Sequence, residues 1–94
     1  MGPTQFAQTA RRYWWTYRPG ALAQIPGQDR AEFFAQVGRQ AADLAEELTW
    51  QIKDESPQLT DAAARLRAED EALRELVYLE KEPGTQDREM PRGR

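Results

Sequence analysis

A helical repeat of apolar residues between positions 33 and 52 constrains the fold of this chain more than any other feature. Apolar side chains recur there every three or four residues, which puts them on one face of a helix at 100° per residue. This face consists of Phe33, Phe34, Val37, Ala41, Leu44, Ala45, Leu48 and Ile52. The pattern predicts a helix over about 30–53, a rod roughly 36 Å long. Gly38 lies beside the face, and we expect it to let another helix approach closely.

Two further helices are predicted, over about 4–17 and 57–82. In the first, one face consists of Phe6, Ala10, Tyr13 and Tyr17, with Trp14 on its flank. In the last, one face consists of Leu59, Ala62, Ala63, Leu66, Leu73, Leu76 and Val77. Glu69 and Asp70 border this second face, so the middle of the helix is either loosely packed or reaches an arginine.

Proline and glycine separate the helices. Pro19 ends the first helix, because the residue before a proline is pushed out of the α region. One short helical turn fits between residues 19 and 25, and we expect Leu22 and Ile25 to pack under the longer helices. The last helix has two candidate N-caps, Ser56 and Thr60.

The predicted fold is all-α. The short connection between the second and third helices makes them an antiparallel helical hairpin. We expect the aromatic first helix to pack across this hairpin, giving a single three-helix domain over residues 1–82. Residues 83–94 contain one apolar side chain, Met90. They are expected to form a flexible tail, because they bury too little to offset the entropy of ordering.

The residue types that are missing argue against an enzyme. The chain has no histidine and no cysteine, so the usual general base, the thiolate nucleophile and the common zinc ligands are absent. Ser56, the only serine, has no base and is better explained as a helix cap. Carboxylates cluster on the second and third helices, but a di-metal site of that kind also needs histidines. We expect no catalysis, no cofactor and no metal.

Two further expectations concern the cell. No run of about 18 apolar residues predicts a transmembrane helix, and the N-terminus lacks the pattern of a secretory signal. We expect no membrane partner, and a cytoplasmic location is the default expectation.

Trp15 does not fit the helical pattern of the first helix, because it lies opposite the apolar face. Arg11 and Arg18 occupy the same side, and tryptophan and arginine are the types enriched at binding hot spots. Arg11, Trp15 and Arg18 therefore form one candidate partner-binding patch. The alternative is that Trp15 is buried by the C-terminal tail or by a second subunit.

Trp50 is the second misfit, about 160° from the centre of the apolar face of its helix. Its neighbours are four acids: Asp43, Glu46, Glu47 and Asp54. If the first helix packs on that side, its arginines would meet these acids. If it does not, an acidic face with a central aromatic is exposed, and could mimic a phosphate backbone and block a nucleic-acid-binding protein. We treat these five residues as a second candidate patch.

These features favour a non-catalytic protein-interaction module, an accessory subunit or inhibitor of a larger complex that processes nucleic acid. Direct nucleic-acid binding is an alternative, since residues 11–18 combine arginines with aromatic rings on which bases stack. The net charge of −3 opposes association with a polyanion. A structural homodimer is the other alternative.

The stretches at 14–19, 31–34, 44–48 and 73–79 resemble a group of short helical proteins from actinobacterial mobile elements such as integrated plasmids and prophages. They read Trp-Trp-Thr-Tyr-Arg-Pro, Ala-Glu-Phe-Phe, Leu-Ala-Glu-Glu-Leu and Leu-Arg-Glu-Leu-Val-Tyr-Leu. The resemblance implies an accessory gene whose product inhibits or assists a larger machine. It assigns no functional residue.

Overall fold

A computed structural model describes residues 1–84 of the chain, and no strand is found among them. The elements are α1 (Pro3–Tyr17), α2 (Pro19–Ala23), a 3-10 turn (Gly27–Asp29), α3 (Arg30–Glu55), α4 (Asp61–Ala72) and a π-helical turn (Leu73–Val77). The all-α prediction is confirmed. The predicted flexible tail falls almost entirely on residues 85–94, which lie outside the described part.

The hairpin of α3 and α4 forms as expected, but α4 starts later than predicted. Thr60 is its N-cap, and its side-chain oxygen accepts a hydrogen bond from the Ala63 backbone N–H at 3.0 Å. Ser56 instead ends α3, its own N–H bonded to the Ile52 carbonyl. The intervening loop is fixed by the Lys53 ammonium, which donates to the Leu59 carbonyl oxygen at 2.7 Å. A threonine that can satisfy a free N–H is thus preferred over the serine before Pro57.

Helix α1 packs along the N-terminal half of α3, and the two meet most closely at Gly38. A Cβ atom at this position would overlap the Pro3 carbonyl oxygen and lie 3.0 Å from the Ala7 Cβ. The expectation that Gly38 permits a close helix approach is confirmed, and the approaching helix is α1.

The buried side chains form two clusters. The aromatic cluster lies where α1, α2, α3 and the π-helical turn meet, and comprises Ala10, Trp14, Leu22, Phe34 and Val77. The alanine cluster, Phe6, Ala41, Ala45 and Ala72, lies where α1, α3 and α4 meet. Leu22 and Ile25 pack against the long helices as expected. On α1, the buried residues are Phe6, Ala10 and Trp14, while Tyr13 and Tyr17 are half-buried.

The predicted apolar face of the last helix is wrong over α4, where Ala62 and Leu66 of that face are exposed. Ala64, Ala68 and Ala72 are buried, whereas Leu66 is 68% exposed. Alanines four residues apart form a stripe that lets α3 and α4 approach closely, which leucines would prevent. Hydrophobicity alone favoured Leu66, but the space between these helices selects small side chains.

The π-helical turn changes which side chains face the core after α4. It is closed by the Tyr78 N–H, which donates to the Leu73 carbonyl, five residues earlier, at 2.7 Å. The extra residue in the turn rotates the next part of the chain by about one helical position, roughly 100°. As a result Val77 reaches the aromatic cluster and is completely buried.

Glu69 is buried, and it is the one charged side chain in that class within residues 1–84. Its carboxylate forms an ion pair with the N-terminal ammonium of Met1, so its partner is not an arginine. Asp70 is exposed and pairs with Arg74 on the same helix.

The last helix ends at Val77 rather than Glu82, and residues 78–82 form an extended segment that we call the strap. The strap lies against α1: the Tyr13 hydroxyl donates to the Leu79 carbonyl at 2.6 Å, and the Glu82 N–H donates to the Tyr17 carbonyl at 2.8 Å. These bonds to another element replace the helical ones that a continuous helix would have made.

Candidate protein-binding surface

Two consecutive tryptophans of α1 have opposite environments. Trp14 is buried, with its ring packed edge-on against Phe33 and Phe34 at centroid distances of 5.3 and 5.6 Å. Trp15 is 71% exposed. Because successive helical residues point 100° apart, a helix that buries Trp14 turns Trp15 away from the core. Within residues 1–84, nothing buries Trp15.

Trp15 lies in a groove between α1 and the N-terminal half of α3. The α1–α3 groove consists of three adjoining cavities of about 310, 300 and 340 Å³. Arg11 and Phe34 line both the first and the second cavity, and Trp15, Leu22 and Arg30 line both the second and the third. The three cavities are therefore neighbours and follow α1 from Pro3 to its C-terminal end, about 21 Å.

The groove has a small or apolar floor and a basic lining. Its floor includes Ala7, Leu22, Ala31, Phe34 and Ala35. Its charged lining residues are Arg11, Arg12, Arg30 and Arg39, and no acid lines it among the described residues. Glu32 pairs with Arg39 at 3.2 Å from outside the groove. This combination suits an apolar ligand that carries negative charge.

Arg18 does not line the groove. Its guanidinium lies 4.6 Å from the centre of the Trp14 ring, and its Nη1 donates to the Glu80 carbonyl oxygen at 2.7 Å. Arg18 thus joins the strap to α1, while Arg11 and Trp15 share the groove. Arg30, and not Arg18, lies beside Trp15 in the groove. Its Nε donates a hydrogen bond to the Ile25 carbonyl oxygen at 3.0 Å. The sequence carried no signal for Arg30, since only the turn after α2 brings it next to Trp15.

The second candidate patch is exposed on the C-terminal half of α3. We call Asp43, Glu46, Glu47, Trp50 and Asp54 the Trp50 face. Trp50 is 71% exposed, and the four acids are exposed as well. Trp50 and Glu46 border a cavity of about 260 Å³ that α4 closes on its other side.

The acids of the Trp50 face are not neutralised by α1. Within residues 1–84, no ion pair joins the arginines of α1 to these acids. Of the two alternatives left open by the sequence, an internal charge pairing or an exposed acidic face, the structure has the exposed face. The binding role of both patches stays a prediction.

The strap closes the opposite side of α1 and connects it to α2. The Glu82 carboxylate accepts hydrogen bonds from the backbone N–H groups of Gly20 at 2.9 Å and Ala21 at 2.8 Å. These two bonds hold the pKa of Glu82 below its ordinary value, and the nearby Arg18 acts in the same direction. The sequence pattern does not indicate this role, because it predicts Glu82 at the end of a helix.

Three tyrosine rings cluster where the strap meets α1. Tyr13 lies 4.9 Å from Tyr17 and 5.1 Å from Tyr78 between ring centres, and the Lys81 ammonium lies 4.4 Å over the Tyr17 ring. These residues and Arg12 border an open depression of about 620 Å³. The depression combines stacking rings with positive charge.

In the part of the chain that the structure describes, no three carboxylates come together as a metal site would require. Over the same residues, no helix is both long enough and apolar enough to cross a bilayer. Comparison with known protein families, with curated proteins and with solved structures finds no match to this chain.

Proposed function

We propose that this chain is a non-catalytic protein-interaction module, an accessory subunit or inhibitor that binds a larger assembly through the α1–α3 groove. The observation that carries the proposal is Trp15, an indole 71% exposed beside an apolar channel. A tryptophan side chain can bury about 150–250 Å² against a partner, and tryptophan next to arginine is typical of binding hot spots.

The groove best fits an amphipathic helix with carboxylates on its flanks. The groove is bounded by helix α1 on one side and α3 on the other, with small side chains such as Ala31 and Ala35 in its lining, which suits helix-in-groove recognition. The 15 residues of α1 span about 21 Å, the length of roughly four helical turns. Arg11 and Arg30 would then pair with acids on the partner and set its register.

The proposal is tested first by identifying the partner in the organism that encodes the chain. A photo-crosslinking amino acid replaces Gln8, which is exposed and lines the groove. A matched chain carries it at Leu66, which is exposed on α4 away from the groove. We expect a foreign protein to be crosslinked from position 8 and not from position 66.

The purified pair then gives a quantitative test. Trp15→Ala should weaken binding by about 30-fold or more, the range of a hot spot worth at least 2 kcal/mol. Leu66→Ala should change the dissociation constant less than about twofold. The proposal is wrong if Trp15→Ala binds as tightly as the wild type, or if position 8 crosslinks only to copies of this chain.

Direct nucleic-acid binding is a second candidate function, favoured by the tyrosine depression. Its rings could stack with bases, while Arg12 and Lys81 could contact phosphates. A gel shift with single-stranded DNA and RNA at low salt decides, since phosphate contacts are strongest there. Binding that falls steeply with salt and is lost in Arg12→Glu would support this function. No shift at low salt removes it.

A further inference from the structure

We infer that the α1–α3 groove also accepts a second copy of this chain, whose Trp50 face enters it head to tail. This inference rests on the proposed function, because both use the same groove. It goes beyond that function by assigning a role to the Trp50 face and by naming the occupant of the groove in the free protein.

The Trp50 face has the features that the groove requires of a ligand. It lies on α3, a continuous helix of 26 residues. Positions 43, 47, 50 and 54 follow each other at intervals of three or four, so their side chains form one stripe. The stripe has an exposed tryptophan between acids. Because α3 is already folded, presenting it to a groove requires no ordering of the backbone.

The charges of the two surfaces are complementary. Four arginines and no acid line the groove among the described residues, whereas the Trp50 face carries four acids. Opposite potentials of this kind steer encounter and fix register. They also explain how a chain of net charge −3 can associate with itself in spite of overall repulsion.

The two surfaces cannot meet within one molecule. The groove contacts α3 as far as Arg39, while Trp50 lies eleven residues further along the same helix, about 16 Å away. The complementarity can therefore be satisfied only between copies. Since the two surfaces differ, each copy can bind one neighbour through its groove and another through its Trp50 face, or two copies can close as a pair in which each groove receives the other copy's face.

Sedimentation velocity with two blocked variants tests this directly. The groove-blocked variant carries Trp15→Ala and Arg11→Glu, and the face-blocked variant carries Trp50→Ala and Glu47→Arg. All four residues are exposed, and circular dichroism with thermal melting checks that both variants fold. Leu66→Ala, which alters neither surface, is the matched control.

At low salt, we expect the mean mass of the wild type and of Leu66→Ala to rise with concentration above 10.8 kDa, and to fall again as salt is added. Each blocked variant alone should stay monomeric. An equimolar mixture retains one intact groove and one intact face, so it should form a dimer and nothing larger.

Three results would overturn the inference. The first is a wild type that stays monomeric at low salt over the whole concentration range. The second is a mixture that fails to dimerise although the wild type associates. The third is a blocked variant that associates as the wild type does, which would place the contact on another surface of the protein. None of these results affects the crosslinking of a foreign partner at position 8, so the proposed function is judged separately.

Discussion

The two halves of α3 are packed in different ways although both follow the same helical period. The N-terminal half is covered by α1, α2 and the π-helical turn, and buries the rings of Trp14 and Phe34. The C-terminal half is covered by α4 and contacts the alanines of that helix. Rings fill most of the aromatic cluster, whereas the alanine cluster contains one ring, that of Phe6 from α1, among alanines of α3 and α4; Trp50 and Leu66 lie outside both.

The difference shows which side chains can be changed to alter binding without altering the stability of the fold. A ring that fills the core cannot be removed without a cavity, whereas an exposed ring can be removed without loss of packing. Trp14 belongs to the first kind, and Trp15 and Trp50 belong to the second. Four substitutions test the packing of the two halves and of the strap. They are given from the largest expected effect on the free energy of unfolding to the smallest.

The largest effect is expected from Trp14→Ala. Its ring fills the space between Phe33, Phe34 and the Arg18 guanidinium, so its loss should lower the free energy of unfolding by about 3–5 kcal/mol. Urea unfolding followed by circular dichroism measures this. A loss below about 1 kcal/mol would show that the aromatic cluster does not hold the fold.

A smaller effect is expected from Ala68→Leu in the alanine half. Ala68 is completely buried on α4, and overpacking a core position costs about 1–3 kcal/mol. The matched control is Ala62→Leu, an exposed position on the same helix, which should change stability by less than about 0.5 kcal/mol. Equal effects of the two substitutions would contradict close packing between α3 and α4.

Gly38→Ala tests the crossing of α1 and α3. Alanine is the better helix former by about 1 kcal/mol, but its Cβ would overlap the Pro3 carbonyl oxygen. Since overpacking costs about 1–3 kcal/mol, we expect a net loss of up to about 2 kcal/mol. Gly27→Ala, where nothing lies within 4 Å of the added Cβ, is the control. A stabilised Gly38→Ala variant would mean that α1 does not approach as described.

Glu82→Gln is expected to act in a pH-dependent manner. The pKa of Glu82 is lowered in the folded state, so the charged carboxylate stabilises the fold above its ordinary pKa of about 4.3. That contribution is lost as the pH falls through the folded pKa. The melting temperatures of the wild type and Glu82→Gln should therefore differ most at pH 7, and the difference should shrink as the pH falls below the ordinary pKa of a glutamate. A difference that is constant with pH would contradict the role of the charge.

The sequence predicted much of this fold because its signals are local. Proline and glycine positions gave the end of α1, and the apolar period gave α3 to within two residues at its end. The errors came from tertiary contacts. Leu66 was placed inside because periodicity does not include the distance between two helices. The predicted helix end at Glu82 is wrong because the hydrogen bonds between the strap and α1 join residues more than 60 positions apart.

In the candidate patches too, local sequence signals were sufficient for some residues and tertiary contacts decided the others. Trp15 and Trp50 were singled out by their angle on a helix, and both are exposed in the structure. Arg18 was grouped with Trp15 by its spacing of three, but the strap draws it to the other side. No sequence pattern indicates Arg30, because it reaches the groove only through the turn that follows α2.

The most direct test of the account is the free energy of unfolding of Trp15→Ala, measured beside Trp14→Ala. If one side of α1 holds the fold and the other is free for a partner, Trp15→Ala should lie within about 0.5 kcal/mol of the wild type. A loss of about 3 kcal/mol, as expected for a buried aromatic, would place Trp15 in the core and contradict the account.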